Sequence, residues 1–401
     1  MKSNQPISSK ERILTLDILR GFAILGIFVV NIEVMNSLYF YSDDFDAQFT
    51  STLDALVRRL LQLFFYSKFF PIFSLLFGVG IGIQYMSLQS KGLRLSFFIR
   101  RMMVLFLLGW AHILLLWSGD VLHIYAILGL FAIALVRLKS STLVILALAL
   151  LLFPFYKTLF QGLLDLIAID PYQQIASLSS EEVGSIIRQG SYGEGVRFRW
   201  VEYVSNLELL LVVLMPTAAA MFLLGLGIVK KGWLSNLDYW VNSIKTPVLY
   251  IALLSNGYRI FFLFALWEMD IWKQPQWRDV FIYLMQIADA FMGLFYVWVI
   301  AYAMRFTFWK RLLHPLQFVG RMALTNYIGQ SVIGLFLFTS VGFQKYQGFS
   351  PYQTLVIALL VFVFQILCSR LWLSYFRFGP LEWFWRCLSY WKWLPIRKST
   401  S

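Results

Sequence analysis

Histidine and cysteine are scarce in this chain, three and two residues among 401. Cys368 and Cys387 fall in the last apolar run and the basic tail beyond it. They lack metal-ligand spacing and an oxidising context, so free thiols are expected and a disulfide framework is excluded. With three histidines, one of them (His314) in a loop, a histidine-rich metal site is excluded as well. Nothing resembles a Ser-His-Asp triad, a HExxH zinc site or a haem-ligand pair. Charge is equally thin at 14%, against 59% hydrophobic and 18% aromatic residues and a mean hydropathy of +0.70. That balance excludes an ordinary soluble domain and reads as a polytopic membrane protein whose surroundings are the lipid bilayer. The net charge of +13 comes from small basic groups between apolar runs. Without a continuous stripe or arm, it points to topology rather than to nucleic acid. No internal repeat, low-complexity tract or second domain interrupts residues 1–401, which read as a single membrane domain.

A helix needs about 20 mostly apolar residues to cross the hydrocarbon. Ten segments meet this, roughly 13–36, 68–88, 98–118, 120–137, 141–159, 206–229, 247–267, 280–304, 316–340 and 352–375. Open or irregular backbone cannot face lipid, so each is expected to be helical and the fold all-α, a bundle of about ten spans. The first run, Ile13–Met35, exceeds a signal-peptide core of about 7 to 15 residues and lacks a small-x-small cleavage site, so it stays as a span. Lysine and arginine divide between alternate loops twenty to nine, which under the positive-inside rule puts both termini in the cytoplasm.

Two outer segments stand out. Thr50–Tyr66 spaces Leu53, Leu56, Val57, Leu60 and Leu63 on one helical face and reads as an interfacial amphipathic helix. Residues 161–205 form the only sizeable hydrophilic stretch, an outer loop read as a partly helical lid rather than a disordered linker. Gly78, Gly80 and Gly82 in FGVGIGI follow no strand, so they read as a close-packing helix face and not as a phosphate loop.

The candidate chemistry lies in Leu107–Tyr125, LLGWAHILLLWSGDVLHIY, where His112, Asp120 and His123 sit at the junction of two apolar segments. Ionisable groups at membrane depth are costly and mark sites or proton paths. Apolar residues surround His112, and an imidazole held by a carboxylate is a competent general base near neutral pH. Asp120 reads either as that carboxylate or as the N-cap of the next helix, with His123 in its first turn near the headgroups. In the first span Asp17, Arg20 and Asn31 share one face with Ile24 and Ile27. Asp17 and Arg20 either pair in helical register or place a guanidinium at a cavity mouth, where it suits phosphate or carboxylate. Arg100 and Arg101 open the third span, as positive-inside anchors or as part of a basic cytoplasmic cup. Arg321 opens the ninth, followed by Thr325, Asn326 and Gln330, and with Arg20 belongs to the same candidate cup. Lys68 is expected to snorkel to the outer interface. Asp17, Glu33, His112 and Asp120 would equally serve a proton-coupled permease, and residues 161–205 a non-catalytic subunit that binds a partner.

Several motifs resemble the YeiB-like family of bacterial inner-membrane proteins. They are Leu16-Asp17-x-x-Arg20-Gly21-x-Ala23-Ile24-Leu25-Gly26-Ile27 with Asn31-Ile32, Lys68-Phe69, LFG at 76–78 and His112-x4-Trp117-x-Gly119-Asp120-x-Leu122. GRMALTNY at 320–327 and YFRFGPLEWFWR at 375–386 complete the likeness. The polar motifs concentrate in an N-terminal half, 1–139, and residues 206–401 resemble the family's domain of unknown function. The resemblance implies a multi-pass protein of the cytoplasmic membrane and a distant similarity to transmembrane acyltransferases. By that kinship an acyl-CoA co-substrate would bind from the cytoplasm at Arg20, Arg100, Arg101 and Arg321. The acyl group would pass to an envelope glycan or lipid acceptor, with His112 as base and Asp120 orienting it.

Overall fold

The computed structural model describes residues 14–89 and 95–398. Lys2, Lys10, Arg12, Lys91 and Arg94, which contribute to the charge alternation, and Ile13, which begins the first expected span, lie outside the described residues. Apolar runs, together with the acidic Ser42–Gln48 and the amphipathic Thr52–Phe64, make the first helices. These are α1 (Leu14–Asn36), the short α2 (Ser42–Gln48), α3 (Thr52–Phe64), α4 (Phe69–Gln89), α5 (Leu95–Leu115) and α6 (Leu122–Leu135). Next come α7 (Ser140–Leu151) and α8 (Tyr156–Ile167), bent by 68° at the break around Pro154, whose ring and missing N–H end a helix. The hydrophilic segment folds as α9 (Gln173–Ala176), α10 (Ser180–Gln189) and α11 (Tyr192–Ser205). Ser179 with Glu182 and Ser191 with Glu194 form capping boxes that fix where α10 and α11 begin. This segment is therefore an ordered helical lid along its length.

A π-helical turn, Leu209–Leu214, runs into α12 (Met215–Lys230). Beyond it lie α13 (Leu237–Ser243), α14 (Lys245–Phe264), α15 (Pro275–Ala303), α16 (Thr307–Leu313) and α17 (Leu316–Arg321). The chain closes with α18 (Ala323–Phe338), α19 (Pro351–Tyr375) and α20 (Pro380–Tyr390). Among the described residues the fold is all-helical, apart from one isolated bridge between Phe376 and Arg397.

Among the described residues seven helices are long and apolar enough to cross a membrane, eight if the bent α7–α8 pair is one span. The other two expected segments are α6 and α18, apolar but only 14 and 16 residues long. At 1.5 Å per residue they reach about 21 and 24 Å, short of the roughly 30 Å hydrocarbon. Burial separates core from periphery. The most apolar stretch of α1 is 56% buried, that of α14 only 22%. Leu360, Val363, Phe364, Leu367 and Leu371 of α19 are exposed at helical spacing, as a lipid-facing stripe requires. In α3 the polar Asp54 is buried while Leu53, Leu56, Leu60 and Phe64 are exposed, an arrangement suited to an interfacial helix.

The FGVGIGI face does pack closely, with a division of labour. A Cβ on Gly78 would stand 2.3 Å from the Phe222 carbonyl oxygen of α12, and one on Gly82 would meet Val229. Gly80 turns the other way, with Arg20 its nearest neighbour. Close backbone approach through small residues substitutes for the hydrophobic drive that lipid removes.

Candidate functional site

The site is built on the turn between α5, which ends at Leu115, and α6, which starts at Leu122; Asp120 in this turn is 1% exposed. Non-helical backbone at such depth needs every polar group satisfied by protein. Asp120 does much of this work with its two oxygens divided. Oδ2 accepts from the backbone N–H of Leu122 (2.8 Å) and of His123 (3.3 Å), capping α6, and Oδ1 meets His112 Nδ1 at 2.8 Å. The two sequence readings of Asp120, cap and orienting carboxylate, hold together. Gly109 permits the approach, since a Cβ there would lie 2.5 Å from His123 N and 2.9 Å from Asp120 Oδ2.

His123 joins the same group, with Nδ1 at 3.2 Å from Asp120 Oδ2 and Nε2 at 3.0 Å from the Tyr203 hydroxyl of α11. It is 3% exposed, in the first turn of α6 beneath α11. If both imidazoles donate from Nδ1 to the Asp120 oxygens, each Nε2 is an acceptor, a tautomer assigned from the network. Tyr203 O–H supplies His123. His112 Nε2 is buried and, among the described residues, has no hydrogen-bond partner. The Tyr327 ring of α18 stands against His112, centroids 5.3 Å apart, with its hydroxyl turned to Asp120 and to the Val121 backbone.

One turn beyond His112 is a small cavity of about 60 Å³, walled by Leu116, Trp117, Phe198, Arg199, Glu202 and Ser331. Among the described residues, Trp117 Nε1, Arg199 Nη2 and Ser331 Oγ are buried there without hydrogen-bond partners. The lid is clamped over it. Arg199 Nε donates to the Leu114 carbonyl (2.8 Å) and Tyr192 O–H to that of Leu115 (2.7 Å), capping the end of α5. Burial pushes the Glu202 carboxyl up to about 7, partly offset by Ser118 and by the Arg199 charge.

At the opposite end of α5 the basic residues separate. Arg101 is buried, its guanidinium 3.6 Å from the Trp385 ring centre of α20, whose indole N–H donates to the Arg101 carbonyl. Arg100 is exposed. Arg20 is half-buried and pairs with Asp17 at 2.8 Å, and Asn31 is half-buried farther along α1. Close packing of α1 on α17 puts Gly320 against the Asp17 backbone, so half-buried Arg321 and Arg20 share this end. The N-terminus of α18 there is filled by Glu382, which accepts from the N–H groups of Leu324 (2.7 Å) and Thr325 (3.1 Å). Asn326 knits α18 to α19, donating to Ser369 Oγ (3.0 Å), and Gln330 donates to Gln365 (2.9 Å).

Lys68 departs from the sequence expectation. It does not snorkel but is fully buried, 2.9 Å from Asp289 of α15 and donating to the carbonyls of Gln62 (3.0 Å) and Tyr66 (2.5 Å). Arg259 of α14, also fully buried, reaches the same Asp289 oxygen at 2.9 Å and donates to the Leu63 carbonyl. Sequence reasoning passed over Tyr203, Tyr327, Glu202, Arg259 and Asp289. The last was visible as a lone carboxylate in MQIADAFMG. Among the described residues no three histidine, cysteine or carboxylate side chains converge on a metal position.

Comparison with known proteins agrees with the sequence motifs. Residues 228–392 match the family described as a protein of unknown function, DUF418. The chain is 32% identical to Uncharacterized protein YxaH of Bacillus subtilis (strain 168), over the full length of both. It is 30% identical to an uncharacterized 39.9 kDa protein in the amylase 3' region of Bacillus acidopullulyticus, covering 98% of this chain and 97% of the other. Uncharacterized protein YeiB of Escherichia coli (strain K12) is 29% identical, with 94% and 96% covered. No solved structure matches. With long apolar helices and full-length likeness to these relatives, this membrane protein belongs to the YeiB-like family, which carries the DUF418 domain.

Proposed function

We propose that the chain is an acyltransferase of the bacterial cytoplasmic membrane, with both termini and the arginine end facing the cytoplasm. The observation that carries this is the His112 imidazole, fixed through Nδ1 by Asp120 while its buried Nε2 has no hydrogen-bond partner. A buried acceptor costs about 1–3 kcal/mol when unsatisfied, so a place kept for a reacting proton explains why the fold tolerates it. His112 Nε2 takes the proton of an acceptor hydroxyl or amine as that atom attacks the thioester carbonyl of an acyl-CoA. The carbon–sulfur bond breaks, and the imidazolium returns the proton to the leaving thiolate. General-base assistance of this kind contributes about 10²- to 10⁴-fold.

The donor's phosphates would be held by Arg20, Arg101 and Arg321, with Arg100 anchoring the helix end at the surface. Arg101 and His112 are eleven residues apart on one helix, so the donor's acyl arm must bridge about 16 Å. The test is transfer of label from acetyl-CoA to envelope lipid or glycan by protein in nanodiscs. Wild type should label an acceptor, and His112→Ala and His112→Gln should be slowed by about 10²- to 10⁴-fold. Undiminished transfer by folded His112→Ala disposes of the reading.

A further inference from the structure

A second and larger cavity, about 510 Å³, opens where the bent α7–α8 pair, the π-helical turn, α15 and the lid meet. Nothing in the His112 chemistry uses it. Its construction is local and costly. Pro154 breaks one wall, and the π-turn, with Pro216 giving no N–H to the turn above, loosens the other. π-turns persist mainly at functional sites, because they trade good helical hydrogen bonds for local width.

The lining is divided. One side is hydrocarbon, from residues such as Leu151, Phe153, Val212, Val213 and Ile282, and the other carries Lys157, Glu208, Asp279, Tyr172 and Asn206. Lys157 and Asp279 pair at 3.1 Å and Tyr172 donates to Glu208, so the charged lining residues sum to one negative charge. An anionic head group would meet two carboxylates with a single, already paired ammonium. A head group rich in hydroxyls finds acceptors and donors in mixed order. The polar side shares the lid with the histidine cluster: Ser205 and Asn206 line this cavity, two and three residues beyond Tyr203 of α11, whose hydroxyl bonds His123.

We propose that this cavity docks a membrane amphiphile whose head group is uncharged and hydroxyl-bearing, and that this amphiphile is the acceptor of the transfer. The second half rests on the acyltransferase reading, and the first half stands without it. The experiment uses the full chain in phospholipid nanodiscs with a photoreactive octyl glucoside. Crosslinks should map to the 150–158, 205–217 and 279–287 stretches. Unlabelled octyl glucoside should compete, whereas octyl phosphate and free glucose should not.

Val213→Trp should cut labelling at least tenfold by filling the apolar side. The exposed Asp279→Lys leaves folding aside and reverses the charge at the rim, so octyl phosphate should then become the better competitor. Equal competition by octyl phosphate or glucose in wild type overturns the site. So does labelling of ordinary phospholipid-exposed surface only, or undiminished labelling of Val213→Trp. Because no acyl donor is present, these outcomes are independent of whether His112→Ala retains transfer: labelling with no transfer overturns the acceptor assignment and keeps the site.

Discussion

The buried ionic clusters around Asp289 and around Asp120 are built on opposite terms. Around Asp289, two cations share one carboxylate, and the remaining positive charge is taken up by carbonyls of Gln62 and Leu63 at the C-terminus of α3 and by Tyr66. Cations at a helix C-terminus satisfy orphan carbonyls and the helix dipole together, so this group staples α3 to α4, α14 and α15. Around Asp120, one carboxyl group meets two imidazoles and a helix start, and among the described residues His112 Nε2 has no hydrogen-bond partner. Burial of charge alone therefore does not mark a site. What separates the two clusters in the proposed function is the imidazole that Asp120 fixes, a group able to take up a proton.

The comparison breaks most visibly at Asp289. Asp289→Leu leaves two buried cations facing each other, and removing one partner of a buried pair costs about 3–5 kcal/mol. We expect little monodisperse protein and a large fall in thermal midpoint in detergent. The triple variant Lys68→Met, Arg259→Met, Asp289→Leu should recover most of the loss, because apolar replacement of a whole buried pair is often neutral or better. If the triple variant folded well but lost transfer or ligand labelling, the two clusters would not be the opposites described here.

At the other cluster the expected damage is to rate rather than fold. Asp120→Asn keeps an oxygen to cap α6, so stability should fall by about 1 kcal/mol. Its amide, however, donates where His112 needs an acceptor, which drives the imidazole to the tautomer with a proton on Nε2 and removes the base. Transfer should drop by about 10²- to 10⁴-fold while the thermal midpoint moves little. A variant that lost stability as steeply as Asp289→Leu would make Asp120 a structural staple of the same kind.

Between these in character is Glu202, buried beneath the lid with its carboxyl pushed up to about 7 from 4.5. Across that window the folded state holds a proton that the unfolded chain gives up. Stability should accordingly fall as pH rises from 4.5 through about 7 and level off above. Below 4.5 both states are protonated and the lid is at its firmest. Glu202→Gln should flatten this slope, which thermal unfolding at stepped pH reads directly, by a total on the order of 1 to 3 kcal/mol. A slope unchanged in Glu202→Gln would move the pH dependence to other groups.

The two clusters also differ in what a sequence reveals of them. Long apolar runs made the helices legible, since each lies within one stretch of chain and lipid enforces helical backbone. His112 and Asp120 were legible because eight residues separate them, close enough to suspect a shared turn. The partner of Lys68 was not, because Asp289 lies 221 residues away and only the packing of α15 on α4 joins them. Tyr203 and Tyr327 were silent for another reason. A tyrosine among aromatic residues carries no pattern of its own, and its hydroxyl acquires a role only when a helix places it. Composition alone does not show length: α6 and α18 fall in expected spans, yet their helices have only 14 and 16 residues.

The finest probe of the comparison is Tyr203→Phe. It removes one hydrogen bond from His123 Nε2 and changes no volume to speak of, so the expected cost is about 0.5–1.5 kcal/mol. If His123 only supports Asp120, the variant should retain transfer within about tenfold with its pH profile unmoved, because the Asp120–His112 bond stays in place. His123 Nε2 would then be a second buried acceptor without a partner, chemically alike to His112 Nε2 but on the lid side. A new pH dependence or a new route of transfer in Tyr203→Phe would show that what distinguishes the two imidazoles is one phenol, and that the lid decides which of them is the base.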